Sequence, residues 1–445
     1  MPISSSPITS SPIALRTIYL RATADKVQEK EHSFQNNLVD ISNKNRDLNS
    51  PPRPSIGEHS SSNLLPLPQR QKKKNGLSAR RGMDNLERLK VNDTNADLKK
   101  RDEKVAFLEA VRDQVKIDKD NEKQCEVLFD RLYDMKSELE KNYSENYQSV
   151  KNSRYERDLT YCKDTLIKSD GISLPANNVS ADDSRYMTIA SQYPFNNKES
   201  LRSFFNMLFD NDINTVYILA SNDDIKKDLS KLGSEYNRRD FEKEGFKYFR
   251  EGSDSDDIKS SLITKWDFSK VKIQDEDGTI RVVENENGEN DILGNKRHLD
   301  CKVYSRLFTK KGCKEDKTIN FVHIFNWKDH TGIDATKLQN TINVIGDKLK
   351  ITPTKENIAV HCLAGLGRTG EFIALMEMMK MIEAKNTEAG NTEAGNTEEK
   401  SLESIIADLR KKRSIRALYK PEQIAELAKF AINNIPLLNN DIKTR

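Results

Sequence analysis

The spacing of apolar and polar positions divides the chain into three stretches of different character. Up to about Arg81 no period is sustained. Ser, Pro and Asn predominate with few aromatics, so residues 1–83 are predicted to be disordered, with Leu15–Tyr19 able to order on a partner. Over 84–148 apolar residues recur at three- and four-residue spacing (Val105, Leu108, Val111, Val115, then Leu128, Leu132, Met135, Leu139), uninterrupted by glycine or proline. This predicts one or two amphipathic helices, divided at Asp118–Asn121, that pack on each other or on the next domain. No strict heptad persists, which weighs against a long coiled coil.

From 149 to 437 strand and helix periods alternate. Tyr186–Pro194 alternates until the proline breaks it, and Leu201, Phe204, Phe205, Leu208 and Phe209 mark one helix face. Thr215–Ala220 reads as a buried strand. Between Leu262 and Phe325 lie three further strand-like runs, Thr279–Val283, Cys301–Leu307 and Ile319–Phe325. With a hairpin signal at Asp277–Gly278 and an acidic loop at Glu284–Asn295, they predict antiparallel strands at a sheet edge. Ile358–His361 is a short apolar run followed by a glycine-bearing loop and a helix from Arg368. The repeated Asn-Thr-Glu-Ala-Gly unit within 385–400 is a low-complexity loop insertion, after which Leu402–Leu409 and Ile424–Ala431 predict two closing helices. The pattern is that of an α/β domain with a helical N-terminal extension.

Composition narrows the class. Of the 445 residues, 35% are hydrophobic and 32% charged, which fits one large core with tails better than three domains. A net charge of +3 makes nucleic acid no evident partner. The basic cluster at Lys72–Lys74, Arg80 and Arg81 is a solvated face or a contact for a membrane surface or partner. Five cysteines without regular spacing argue for a reducing compartment and against a disulfide framework or zinc site. No stretch approaches the roughly 20 apolar residues of a membrane span, and Met1–Leu20 does not read as a Sec signal.

The chemistry concentrates at His361-Cys362-Leu363-Ala364-Gly365-Leu366-Gly367-Arg368-Thr369-Gly370. Two glycines let the loop wrap tightly and turn successive N–H groups inward, and the helix N-terminus adds positive potential, so the loop binds an anion. Arg368 offers a planar pair of donors to phosphate oxygens. A cysteine in that cradle is pushed toward thiolate, making Cys362 a candidate nucleophile for phosphorus. About thirty residues upstream, Asn326-Trp327-Lys328-Asp329-His330-Thr331-Gly332 comes after a strand and places an acid on a loop. Loop closure would carry Asp329 to a leaving oxygen and exclude water.

The His-Cys-x-x-Gly-x-Gly-Arg-Thr-Gly run resembles the signature of the protein tyrosine phosphatases. The short matches Ile189-Ala190-x-Gln192-Tyr193-Pro194, Leu219-Ala220-Ser221 and Tyr248-Phe249-Arg250 are similar to the secreted bacterial effector phosphatases of Yersinia and Salmonella. The resemblance, over roughly 150–437, implies the fold of that family, a central twisted mixed sheet flanked by helices. It also implies hydrolysis of phosphotyrosine in proteins through a cysteinyl-phosphate, with no metal or cofactor. Carried over residue by residue, Cys362 is nucleophile, Leu363, Ala364, Gly365, Leu366, Gly367 and Arg368 cradle the phosphate, Thr369 and His361 support the thiolate, and Asp329 is acid then base on a loop anchored by Trp327. Gln423 places water or caps the last helix. Tyr155 is a substrate platform or a structural tyrosine, and Asp158 lies one residue beyond the family spacing. Lys328 stands where the family has proline, and Tyr419 where it has a first glutamine. The likeness also implies a non-Sec export route, a chaperone-binding N-terminus and a host-cell location; an ordinary cytoplasmic phosphatase is the alternative. A dual-specificity or phosphoinositide phosphatase, and a phosphotyrosine-binding module without turnover, stay open on the residues alone.

Overall fold

The structure is a computed structural model that describes residues 78–113, 117–151, 153–227, 245–252, 257–268, 270–274, 280–284, 298–388 and 400–439, with backbone alone for 78–94, 270–274, 280–284 and 387–388. Residues 1–77 of the stretch expected to be disordered, the Asp277–Gly278 turn, nearly all of the acidic loop and the centre of the Asn-Thr-Glu-Ala-Gly repeat lie outside these residues, while 78–83, expected to be disordered, are already helical.

Two helices come first, α1 (Ser78–Arg112) and α2 (Lys119–Asn142). Asp118, in the polar run that divides the apolar pattern, caps α2 by accepting the Asn121 N–H at 2.7 Å. The apolar faces of the pair are covered in part, although Val105 of the expected apolar pattern is exposed. Phe107, Leu108 and Val111 of α1 and Cys125, Leu128, Phe129 and Leu132 of α2 belong to the same apolar cluster as the helices that come after the cysteine loop.

A small pair, β1 (Tyr147–Gln148) with β2 (Tyr161–Cys162), precedes the main sheet. In chain order the next elements are β3 (Leu166–Ser169), β4 (Ile172–Asn178), β5 (Thr188–Ser191), α3 (Lys198–Asp210), β6 (Thr215–Ile218), α4 (Asn222–Lys227), α5 (Tyr248–Glu251) and β7 (Ile258–Asp267). Then come β8 (Lys270–Gln274), β9 (Ile280–Glu284), β10 (Cys301–Lys310), β11 (Lys317–Ile324), α6 (Ala335–Leu349), β12 (Ile358–His361), α7 (Gly367–Glu388), α8 (Leu402–Lys412) and α9 (Pro421–Ile432). The main sheet has eight strands in the order β3-β4-β5-β12-β6-β11-β10-β7, while β8 and β9 pair separately. Its centre, β5, β12, β6 and β11, is parallel, and both flanks are antiparallel. The sheet is therefore mixed, and the three runs read between Leu262 and Phe325 fall on β9, β10 and β11.

Every residue of β5, β6 and β12 is buried, which is why these strands read as continuous apolar runs rather than alternating ones. Val216, Ile218 and Ala359 face the cluster built on Phe204, Phe205, Leu208, Tyr248 and Phe249. Tyr217, Leu219, Ile358 and Val360 face the opposite cluster, with Phe372, Leu375, Ile406 and Leu427. The four parallel strands all point their C-terminal ends the same way, and the loops leaving β11 and β12 open on one crevice, at the end where open parallel sheets form sites. Among the described residues no helix is long and apolar enough to cross a membrane.

Candidate active site

β12 ends at His361, and the chain turns through 362–366 into α7. What shapes this turn lies outside it. The carbonyls of Leu363, Gly365 and Leu366 are taken up by Tyr193 N–H at 3.1 Å, Arg413 Nε at 3.1 Å and Leu418 N–H at 3.2 Å. With its carbonyls held outward, the loop presents N–H groups to its inner side, and Gly365 N–H reaches Cys362 Sγ at 3.3 Å. Gly365 has φ +71°, and a Cβ there would stand 2.0 Å from the Ser191 carbonyl oxygen, so the end of β5 admits only glycine.

Cys362 is 3% exposed. Burial works against its thiolate, but the Arg368 charge, the Thr369 hydroxyl and the Leu366 and Gly365 amides outweigh it and hold the thiol below its ordinary value. Thr369 Oγ1 accepts the Cys362 N–H at 2.9 Å, leaving its own proton for sulfur. His361 is wholly buried. Since a carbonyl only accepts, its Nδ1 carries the proton toward the Cys362 carbonyl at 3.2 Å, and Nε2 accepts from the Tyr248 hydroxyl at 2.6 Å. Burial lowers its pKa to about 3, so the ring is neutral and acts on the cysteine through the backbone.

Arg368 is 1% exposed and aimed by three acceptors on Nη1: the Leu219 carbonyl at 3.0 Å, the Trp327 carbonyl at 2.9 Å and Asp224 Oδ2 at 2.6 Å. Its Nη2 meets Asp329 Oδ1 at 3.0 Å, and its Nε is buried without a partner. The acid loop thus lies against the arginine. Trp327 is buried, with its indole N–H on the Thr331 carbonyl at 3.0 Å, while the Asp329 side chain stays 44% exposed toward the crevice. Gln423 Nε2 also reaches the Thr331 carbonyl, at 3.3 Å, and its Oε1 is buried and unpartnered.

A cleft of about 610 Å³ opens over these groups. Asp329, Cys362, Leu363, Ala364, Leu366, Gly367, Gln423 and Tyr155 line it, whereas Trp327, His361, Gly365, Arg368 and Thr369 sit behind that surface. Tyr155 reaches the wall because Arg154 is fixed by the Tyr193 carbonyl at 2.9 Å and the Pro194 carbonyl at 3.1 Å. Asp158 lines the cleft too, one turn on, its N–H on the Tyr155 carbonyl at 3.0 Å. Such a set can hold a phosphoryl group at a thiolate with an acid beside it.

The sequence profile of the protein-tyrosine phosphatases matches residues 139–425. The chain belongs to the protein-tyrosine phosphatase family. Among curated relatives, the tyrosine-protein phosphatase YopH of Yersinia pseudotuberculosis is 25% identical over 306 residues, covering 64% of this chain and 51% of YopH. The human receptor-type tyrosine-protein phosphatase eta is 39% identical over 85 residues, covering 18% of this chain and 6% of that protein. The chain thus spans about half of YopH and a small part of the receptor phosphatase. The crystal structure of the catalytic domain of human protein tyrosine phosphatase non-receptor type 18 aligns with TM-score 0.44 and 16% identity, over 69% of this chain and 96% of that one.

Two residues that hold the cysteine loop and arginine of this family member escaped sequence reasoning. Asp224 is the first. Burial opposes its charge, but Arg368 and the Ser221 hydroxyl and N–H hold its carboxyl below the usual range. The available signal was the Ser221-x-x-Asp224 capping box just after the β6 run; Asp224 N–H donates to Ser221 Oγ at 3.1 Å. Arg413 is the second. It is buried with no carboxylate, spans the Gly365 carbonyl, Asn177 Oδ1 at 2.7 Å and the Pro175 carbonyl at 3.1 Å, and stacks on Tyr161. Nothing local in the sequence marks it.

Proposed function

We propose that this chain hydrolyses phosphotyrosine in proteins. In the first step the Cys362 thiolate attacks phosphorus and forms the S–P bond as the P–O bond to tyrosine breaks, with Asp329 giving its proton to the tyrosyl oxygen. In the second, water attacks phosphorus, Asp329 takes its proton, and the thiolate leaves with help from the Thr369 hydroxyl. Arg368 and the inward amides carry the charge of both transition states, and Gln423 positions the water. The observation that carries this reading is the convergence on Arg368 of a thiol held low and an acid 3.0 Å away. Tyr155 on the wall supports an aryl substrate over a phosphoserine.

We further propose a secreted effector that acts on host signalling proteins from the host cytoplasm, with the N-terminal stretch serving export and chaperone binding. The match to a Yersinia phosphatase over 306 residues supports this. The test is phosphate release by the full chain from a phosphotyrosine peptide, a phosphoserine peptide and a phosphoinositide in EDTA. Release from phosphotyrosine alone is expected, abolished in Cys362→Ser and lowered about a hundredfold in Asp329→Ala. Binding of the phosphotyrosine peptide without release from any substrate would leave a binding module instead.

A further inference from the structure

Glu371 lies three residues beyond Arg368 on α7 and has no part in the chemistry above. Its side chain is wholly buried, where a carboxyl group is costly. One oxygen, Oε1, accepts the Ile333 N–H at 2.8 Å; Oε2 has no partner. Ile333 is where the Asp329 segment leaves for α6. Just before it, Gly332 is pressed so closely to α9 that a Cβ would stand 2.6 Å from the Glu422 carbonyl oxygen. At the incoming end, Phe325 N–H donates to the Asp300 carbonyl at 3.3 Å, and the Asn326 amide donates to the Asp300 carboxylate. A turn with Lys328 at its centre is therefore held at both ends by residues outside it.

We propose that Glu371 is a positioning residue: by holding the Ile333 amide it fixes the outgoing end of the acid loop and sets Asp329 against the leaving oxygen. The inference rests on the phosphatase reading above. A lost clamp misplaces the acid while leaving Cys362, Arg368 and the phosphate cradle intact, so the defect grows with the leaving group's need for a proton. What the site asks of Glu371 is an acceptor without charge. Burial pushes its carboxyl well above the ordinary range, the Ile333 amide opposing, Glu426 adding and Lys429 opposing. An amide of the same shape serves equally.

The experiment compares Glu371→Leu and Glu371→Gln with the parent full chain on a phosphotyrosine peptide and on p-nitrophenyl phosphate, whose phenol leaves with little help. Glu371→Leu is expected to lower the rate of the first step, read as the pre-steady-state burst, about tenfold on the peptide, with vanadate inhibition unchanged and the burst from the nitrophenyl ester within about threefold, while the second step, where Asp329 is the base, slows equally from both. Glu371→Gln stays within about twofold on both. Amide hydrogen exchange at Ile333 rises in the leucine variant alone. Equal burst losses on both substrates, unchanged exchange at Ile333, or a glutamine variant as impaired as leucine would each overturn the clamp. A parent chain inactive on both substrates sinks the phosphatase reading instead, and exchange still decides whether Glu371 holds the loop.

Discussion

At Gly365 the two demands on the cysteine loop meet. Its φ of +71° turns an amide onto Cys362 Sγ, and its missing side chain lets β5 close behind the loop. Gly365→Ala must move either the loop or Ser191, and a displacement of about 1 Å at a reacting group is worth roughly a hundredfold in rate. The variant is expected to keep its far-UV circular dichroism and lose about a hundredfold in kcat/KM on a phosphotyrosine peptide; a loss under about threefold would mean that the loop tolerates the added methyl. The local environment also separates Cys362 from the buried Cys125. Cys125, with burial and Glu122 acting on it and no cation, is pushed up to about 11, the opposite direction from Cys362.

At the scale of single elements, the acid loop shows how one departure from the family pattern is absorbed. Lys328 is exposed and its carbonyl takes the Thr331 hydroxyl at 2.8 Å, so the turn is tied internally as well as at its ends. Lys328→Pro at a position with negative φ removes freedom from the open loop, by about 0.4–1 kcal/mol, and is expected to raise turnover of a phosphotyrosine peptide about two- to fivefold in a pre-steady-state assay; unchanged turnover would place the limiting step outside loop closure. The elements that were legible in the sequence are those whose signal is contiguous. The cysteine loop, its strand and its helix occupy one run, and the acid loop carries its own aromatic and acid. The hold of Asp224 on Arg368 and that of Arg413 on the cysteine loop were not legible, because each acts on residues far along the chain, even though Asp224 sits in a local capping box. Strand boundaries failed for a related reason. The alternation of Tyr186–Pro194 gave nine residues of strand, but only Thr188–Ser191 pair. Beyond Ser191 the chain turns to other partners: the Gln192 amide bonds Ser153 and Tyr161, and Tyr193 N–H joins the cysteine loop.

Across the whole molecule, the helices before residue 143 and the phosphatase sheet share one core. Phe107 and Leu132 lie in the same cluster as Cys362 and Leu366, Arg131 pairs with Glu403 at 2.9 Å, and Arg410 donates to the Leu132 carbonyl. Both helices also line the cleft, through Lys99 and Glu103 of α1 and Tyr133 and Lys136 of α2. Phe107→Ala should cost about 3–5 kcal/mol and lower the midpoint of one calorimetric transition that includes the sheet. A separate early transition, with the sheet unshifted, would make the helices an independent unit.

The place of β12 in the sheet has a consequence for synthesis. It pairs with β5 on one side and β6 on the other, yet more than a hundred residues of chain are made between β6 and β12. A nascent chain therefore carries two unpaired inner edges until His361 has emerged, and the strand that closes this gap is the one that leads into the cysteine loop. Long-range parallel pairing is slow, and open strand edges bind other chains. The interval before residue 361 clears the ribosome is when this chain most needs a chaperone to cover it, and the pairing that ends this exposure also sets the start of the loop that bears Cys362.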